Sequence, residues 1–274
     1  MAKIPLEDLY TDVIGKAQRG INLPDDALAA RIGMPESVVQ KLKNGSLDEI
    51  VFAKVCRELN LHLGALIAMA RKEWQPDEVD VNGLEQFNTP YEDYTVNAYI
   101  VWDPATKLAA AFDTGADAKP MVEFLDKKGL KLEAIYLTHT HPDHVADLAT
   151  LRRANEPVWS CIKEPWDGSE QFDAGHEFSL GGLRIETKQT WGHSKGGVTY
   201  VVHGLDKRLA IVGDAIFASS MGGGGVSWAD ALATNRRYIL SNPDNTIICP
   251  GHGPMTTVGE EKAHNPFYPE YKGA

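Results

Sequence analysis

Glu133-Ala134-Ile135-Tyr136-Leu137 runs directly into Thr138-His139-Thr140-His141-Pro142-Asp143-His144. The first five residues are almost wholly apolar, as expected of a short strand buried within a sheet. The next seven hold three imidazoles and a carboxylate within six positions. Such a cluster is costly to bury without partners and makes poor surface decoration. Imidazole and carboxylate together suit a borderline divalent ion: zinc, with iron or manganese as alternatives. In an extended stretch alternate side chains point the same way. His139 and His141 can therefore share one ion, and Asp143 and His144, at the following turn, can reach a second.

Four or so ligands per ion require residues from elsewhere, and three later sites fit. Thr190-Trp191-Gly192-His193-Ser194 ends one predicted strand and turns, Ile211-Val212-Gly213-Asp214 ends another in a carboxylate, and Cys249-Pro250-Gly251-His252-Gly253-Pro254 ends a third in a histidine between glycines. Each lies where a strand gives way to a glycine-containing loop, the usual place for functional side chains. Five of the nine histidines fall in this set. His62, His176, His203 and His264 lie outside any motif and are expected at the surface or satisfied locally. Cys249 is expected as a buried strand residue, and Lys195 as a solvated lysine.

The ordered set His139-x-His141-x-Asp143-His144, His193, Asp214, His252 resembles that of the metallo-β-lactamase-fold hydrolases, over roughly residues 90–268. Within that superfamily the chain is most similar to glyoxalase II-like hydrolases, an impression strengthened by Gly251–Glu261 followed by Asn265-Pro266-Phe267. The resemblance implies an α+β fold, an αββα sandwich with a two-metal site at one edge of its sheets. It implies that His139, His141 and His193 hold the first ion, that Asp143, His144 and His252 hold the second, and that Asp214 bridges. It implies a metal-bridging hydroxide that attacks a thioester, lactone or related acyl carbonyl, with Asp143 doubling as proton relay. A mononuclear-iron persulfide dioxygenase shares the same ligand pattern and is the alternative. Ala218–Gly225 carries no basic residue where glutathione-handling relatives often have one. The chain also runs only about twenty residues past His252, without glyoxalase II's helical C-terminal domain. Both features argue against glutathione thioesters.

Upstream the pattern changes. Residues 1–75 hold ten basic and ten acidic side chains, whereas residues 76–274 hold 17 basic and 28 acidic ones and carry the whole −11 charge. That charge opposes a nucleic-acid substrate for the second part. The first part reads as four or five short helices ending near Arg71. Ala27–Ile32 places Leu28 and Ile32 at i, i+4, Gly33 can end that helix, and Pro35 can open the next. Gln75–Glu78 reads as a linker, which divides the chain into a small all-α domain, 1–75, and a catalytic domain, 76–274. In the latter, strands are predicted at Thr95–Trp102, Leu108–Phe112, Pro157–Cys161, Leu183–Gln189, Val198–Val202, Leu209–Val212 and Thr246–Cys249, with helices at Lys119–Lys128 and Trp228–Leu240.

Leu23–Ala70, with Ala27–Met34 and Ser37–Gly45, resembles helix-turn-helix domains of the Cro/lambda-repressor type. If it bound DNA, as a DNA-binding regulator would, Ser37–Lys43 would enter the major groove, with Ser37, Gln40 and Lys41 at the bases and Lys43 at phosphate. Its neutral charge, Glu36 at the start of that helix and the lack of arginine within it oppose this role. Packing on the catalytic part or formation of a homodimer is the expected use. The 43% hydrophobic and 24% charged composition is that of a globular protein. No apolar run approaches a membrane span, Met1–Asp8 lacks a signal-peptide pattern, and three scattered cysteines suggest no disulfide framework. These features point to a cytoplasmic enzyme acting on a small-molecule acyl substrate.

Overall fold

The computed structural model describes residues 3–272. Five helices come first: α1 (Tyr10–Gly20), α2 (Asp25–Ile32), α3 (Glu36–Lys43), α4 (Glu49–Leu59) and α5 (Leu63–Ala70). Gly33 caps α2 in the left-handed conformation at φ 65°, as the sequence requires, and Pro35 is the N-cap of α3.

Two six-stranded sheets follow. The first has order β1-β2-β3-β4-β5-β6: β1 (Leu84–Tyr91), β2 (Tyr94–Trp102), β3 (Leu108–Phe112), β4 (Lys131–Tyr136), β5 (Val158–Cys161) and β6 (Glu170–Phe172). The second has order β12-β11-β10-β9-β8-β7: β7 (Glu177–Leu180), β8 (Leu183–Gln189), β9 (Val198–His203), β10 (Leu209–Gly213), β11 (Ile247–Pro250) and β12 (Thr256–Thr257). β3 to β6 are mutually parallel, as is the β10–β11 pair; the remaining neighbours are antiparallel. Helices α6 (Lys119–Lys128), α7 (Pro142–Val145) and α8 (Leu148–Leu151) belong to the first half. Helices α9 (Trp228–Thr234) and α10 (Val258–His264) belong to the second. The segment expected as one helix to Leu240 leaves α-geometry at Asn235 and continues as a π-helical turn to Ile239.

Alternation along the strands sorts the layers. Tyr99 and Val101 of β2, Ala110 and Phe112 of β3, Leu209 and Ile211 of β10, and Ile247 and Cys249 of β11 meet in a core between the sheets. Ala98, Ile100, Ala109 and Ala111 face outward against Met121 and Leu125 of α6. On the other side Ala210, Val212 and Ile248 face outward into a cluster that also holds Val13, Ile14, Leu28, Val39, Phe52, Val55 and Leu66 of α1–α5. The helical segment thus shares one apolar cluster with the outer face of the second sheet, and the layers run α/β/β/α. Among the described residues no helix is long and apolar enough to cross a membrane.

Candidate metal centre

β4 ends at Tyr136, and the chain then carries His139 and His141 out of the first sheet before α7 begins at Pro142, with His141 as its N-cap. That single turn places Asp143 and His144 beside the two preceding imidazoles. The other three residues arrive from the second sheet: Asp214 follows β10, His252 follows β11, and His193 lies between β8 and β9. β10 and β11 are parallel neighbours, so their C-terminal ends lie side by side, where parallel sheets present functional groups.

All seven side chains converge. Potential donor atoms of His139, His141, His193 and Asp214 lie within 4.8 Å of one another, as do those of Asp143, His144 and His252. His139 Nε2 and His193 Nε2 each stand 3.0 Å from His141 Nδ1. Asp214 joins the two groups, with Oδ1 3.3 Å from His144 Nε2 and Oδ2 3.4 Å from both His193 Nε2 and His252 Nε2.

The opposite ring nitrogens are already committed. His193 Nδ1 donates to Gly223 O (2.9 Å) and His252 Nδ1 to Thr95 O (2.7 Å). His144 Nδ1 donates to the Asp113 carboxylate (2.8 Å), which also accepts from Thr138 N (2.8 Å) and Oγ1 (2.7 Å). Carbonyl and carboxylate oxygens can only accept, so each ring carries a proton on Nδ1, and in its neutral form it turns an Nε2 lone pair toward the cluster. His144 Nε2 and Asp214 Oδ1 are buried, face one another and have no hydrogen-bond partner. With His144 neutral these would be two buried acceptors 3.3 Å apart, which repel unless a cation, a metal ion or a proton, is held there, so the donor set fits metal ions.

The electrostatics agree. Burial disfavours the charged form of His139, and the neighbouring imidazoles add to this, so its pKa falls well below the ordinary value. Burial disfavours the His144 imidazolium too, but Asp214 and Asp113 outweigh it and push the group up to about 10. Likewise Asp214 and Asp143 overcome burial at His252 and push it up to about 11. Burial opposes the Asp214 carboxylate, yet His252 and His144 hold it well below the usual range. In the metal-free chain, protons supply the positive charge that the buried carboxylates demand.

Close approach requires glycine at two points. A Cβ on Gly251 would run into Asp214 Oδ1 and come within 2.7 Å of His144 Cε1; one on Gly222 would strike Asp214 O and come within 2.9 Å of His193 Nδ1. Two residues absent from the sequence reading hold the ligand loops. Asp113 does so through His144 and Thr138, as above. Glu164 accepts from Thr140 N (2.9 Å), Thr140 Oγ1 (3.0 Å) and Gly196 N (2.8 Å), bracing the loop of His139 and His141 against that of His193. Burial alone would raise the Glu164 carboxyl, but these donors hold it below the ordinary value. Asp113 had a readable signal, an acidic residue directly after the apolar run Leu108–Phe112. Glu164 sits in Lys163-Glu164-Pro165, which looks like any surface turn.

The remaining candidates lie elsewhere. Lys195 is exposed. His62 caps α5 by accepting from Ala65 N (3.0 Å), and His264 stacks on Trp74 with centroids 4.2 Å apart. Cys249 is fully buried in β11. Ser37, Gln40 and Lys41 are exposed on α3, while Lys43 is ion-paired with Asp25 at 2.9 Å. The cluster opens into a cleft of about 390 Å³ whose walls include Tyr94, Phe217, Glu7 and Lys16.

Comparison with known proteins bears on this site. Residues 91–252 match the sequence profile of the Metallo-beta-lactamase superfamily. The chain is 30% identical over 199 residues to "Probable metallo-hydrolase M6_Spy0554" of Streptococcus pyogenes serotype M6, covering 62% of this chain and 84% of that protein. It is 28% identical over 204 residues to hydroxyacylglutathione hydrolase GloC of Haemophilus influenzae, covering 65% of this chain and 95% of that one. Among solved structures, TTHA1623 in a di-iron-bound form superposes with a TM-score of 0.55 at 26% identity, over 66% of this chain and 99% of that chain.

Proposed function

The chain belongs to the metallo-beta-lactamase superfamily, and from that premise we propose that it is a dinuclear metallo-hydrolase of thioesters, lactones or related acyl substrates. The observation that carries the reading is the convergence of seven side chains, two of whose buried acceptor atoms lack any hydrogen-bond partner. His139, His141 and His193 would hold one ion and Asp143, His144 and His252 a second, with the Asp214 carboxylate shared by both groups of side chains. When bound, such ions supply the Lewis acidity that ionises a water near neutral pH and polarises an acyl carbonyl. Zinc, iron and manganese all suit these donors, and the di-iron form of TTHA1623 supports counting iron among them.

The chain's own residues do the rest. Gly223 O, Thr95 O and Asp113 fix the imidazoles in the tautomer that leaves Nε2 free. Asp143, 3.4 Å from His252 Nε2 through Oδ2, lines the cleft and is the proton carrier. It takes the proton lost by the attacking water and returns it to the departing thiolate or alkoxide as the acyl bond breaks. No side-chain nucleophile is required. The name of the Haemophilus influenzae relative supports thioesters of the hydroxyacyl kind as the first substrates to try.

Elemental mass spectrometry on freshly purified protein, paired with a thioester and lactone panel, tests the reading. Near two equivalents of zinc, iron or manganese with turnover of an acyl substrate is expected. One equivalent of iron, with oxygen uptake on a persulfide and no acyl hydrolysis, would overturn it in favour of a dioxygenase.

A further inference from the structure

One wall of the cleft comes from residues outside the family-matched segment. Glu7 precedes α1, and its backbone lies on the turn after His252: a Cβ on Gly253 would come within 3.2 Å of Glu7 N and 3.6 Å of Pro5 O. The backbone that carries its carboxyl therefore lies against the turn that presents a candidate ligand. Lys16 reaches the cleft from α1. Its ammonium is ion-paired with Asp8, donates to Met221 O (2.8 Å) and stands 5.1 Å from the centre of the Phe217 ring. Asp8 also accepts from Ser220 Oγ. The stretch Ala218–Gly225, bare of basic residues in sequence, thus has a cation beside it in space, but Asp8 neutralises that charge.

Glu7 has no such partner. It is half-buried and lines the cleft, and among the described residues no side chain forms a salt bridge with it or donates a hydrogen bond to it. The non-ligand charges of this wall, Glu7, Asp8 and Lys16, leave one net negative charge, and that charge is Glu7. Burial raises the Glu7 carboxyl above its ordinary value, with Asp8 and Asp214 adding to this and His252 and Lys16 opposing it. A positive group from outside would relieve that strain on the charged form. The cleft, at about 390 Å³, lies near the small end of ligand sites, about 300–1,000 Å³. Glu7 lines the same cleft as His141, Asp143, His193, Asp214 and His252, so a substrate reacting at the metal cluster shares that cleft with its carboxylate.

We propose that Glu7 is a specificity residue whose carboxylate receives an ammonium-type cation on the acyl substrate, so that the cleft prefers cationic over anionic thioesters or lactones. The inference rests on the acyl-hydrolase reading above. Discrimination arises from both directions, since Glu7 attracts the cation and repels a carboxylate in a partly desolvated site.

The test uses the full-length, metal-loaded protein and a matched set of S-acyl thiols. One carries a trimethylammonium group, one a neutral tert-butyl group of the same shape, and one a carboxylate. The corresponding thioethers, which cannot be hydrolysed, are titrated by calorimetry. The expected result is a preference for cation over carboxylate of about 10-fold or more, in both kcat/KM and thioether affinity. Glu7→Gln should bring the ratio close to one, and Glu7→Lys should invert it. A ratio near one in the unmodified protein, or one unchanged in Glu7→Gln, overturns the proposal while any acyl turnover leaves the hydrolase reading intact. Cation-selective thioether binding without turnover of any acyl compound supports the Glu7 subsite and overturns the hydrolase reading instead.

Discussion

The metal end of the sandwich and the helical segment on its outer face are held together by opposite kinds of contact. Around His139–His144 the links are short and polar: Asp113 to His144 and Thr138, Glu164 to Thr140 and Gly196, and Thr95 O to His252. Between α1–α5 and the second sheet the contact is almost wholly apolar, with Ile14, Leu28 and Leu66 in the same cluster as Val212 and Ile248. Its polar links include Lys16 to Met221 O and His62 N to Pro266 O. Polar geometry is directional, so one atom out of place disables the donor set. Apolar contact is not directional, so its loss costs stability in proportion to volume and area. Damage at the metal end should therefore abolish chemistry and spare the fold. Damage at the helical face should do the reverse.

The largest effect expected is that of Asp214→Ala. It removes the carboxylate shared by both ligand groups. Acyl turnover should fall to background while the far-ultraviolet circular dichroism keeps its helical signal; substantial retained turnover would break the comparison from the metal side. Next comes Leu66→Ala in α5, fully buried in the shared cluster. It should cost about 2–5 kcal/mol of unfolding free energy in urea, with metal content per folded chain unchanged. A fall in metal content as large as that for Asp214→Ala would show that the two regions are not separable.

Asp113→Asn sharpens the boundary. Asparagine can neither accept as many hydrogen bonds as the carboxylate nor stabilise the His144 imidazole as well, so chelator competition should show metal affinity lowered about 10–100-fold. The melting temperature of the metal-free form should move much less. The last effect, gradual because it is spread over several pH units, concerns Glu261 of α10, fully buried and hydrogen-bonded to none of the candidate ligands. Burial raises its carboxyl to about 8, against the donors Asn265, Thr256 and Ser219 N. Between its ordinary value of 4.5 and about 8 the folded chain holds a proton that the unfolded chain has lost, so stability falls as pH rises, by at most about 1.4 kcal/mol per pH unit. Glu261→Gln should flatten that part of the stability–pH curve; an unchanged slope would show that Glu261 is already ionised.

Which elements were legible follows from the same contrast. β3, β8 and α6 occupy the predicted residues, and β2, β4, β5, β9, β10 and β11 lie within two residues of them at each end. Most of these strands are apolar runs buried on both faces, where the signal is strongest; β8 shows instead the alternation of buried Leu183, Ile185 and Thr187 with more exposed Arg184, Glu186 and Lys188, and α6 a helical spacing ended by Gly129. β1 was missed because Leu84–Tyr91 carries Asn88 and Pro90 and lies at a sheet edge, half exposed along much of its length. β6, β7 and β12 are too short to show a period. The seven candidate ligands were legible because metal chemistry restricts residue type so sharply. Asp113 offered only its place after an apolar run and Glu164 offered nothing, because an acceptor carboxylate is otherwise defined only by the donors that surround it.

The amino-acid sequence carries the types and order of the candidate ligands, and the alternation that sends Ala210 and Val212 to one face of β10 and Leu209 and Ile211 to the other. Residue type and period are local properties, so a linear chain can carry them. It takes the packed fold to lay α1–α5 over the second sheet and to bring Glu7 and Lys16 to the cleft. Helical amphipathicity specifies that an apolar face must be covered, but not what covers it. The charge of the cleft wall depended on a pairing between Lys16 and Asp8, and on the lack of one at Glu7 among the described residues, that no spacing encodes.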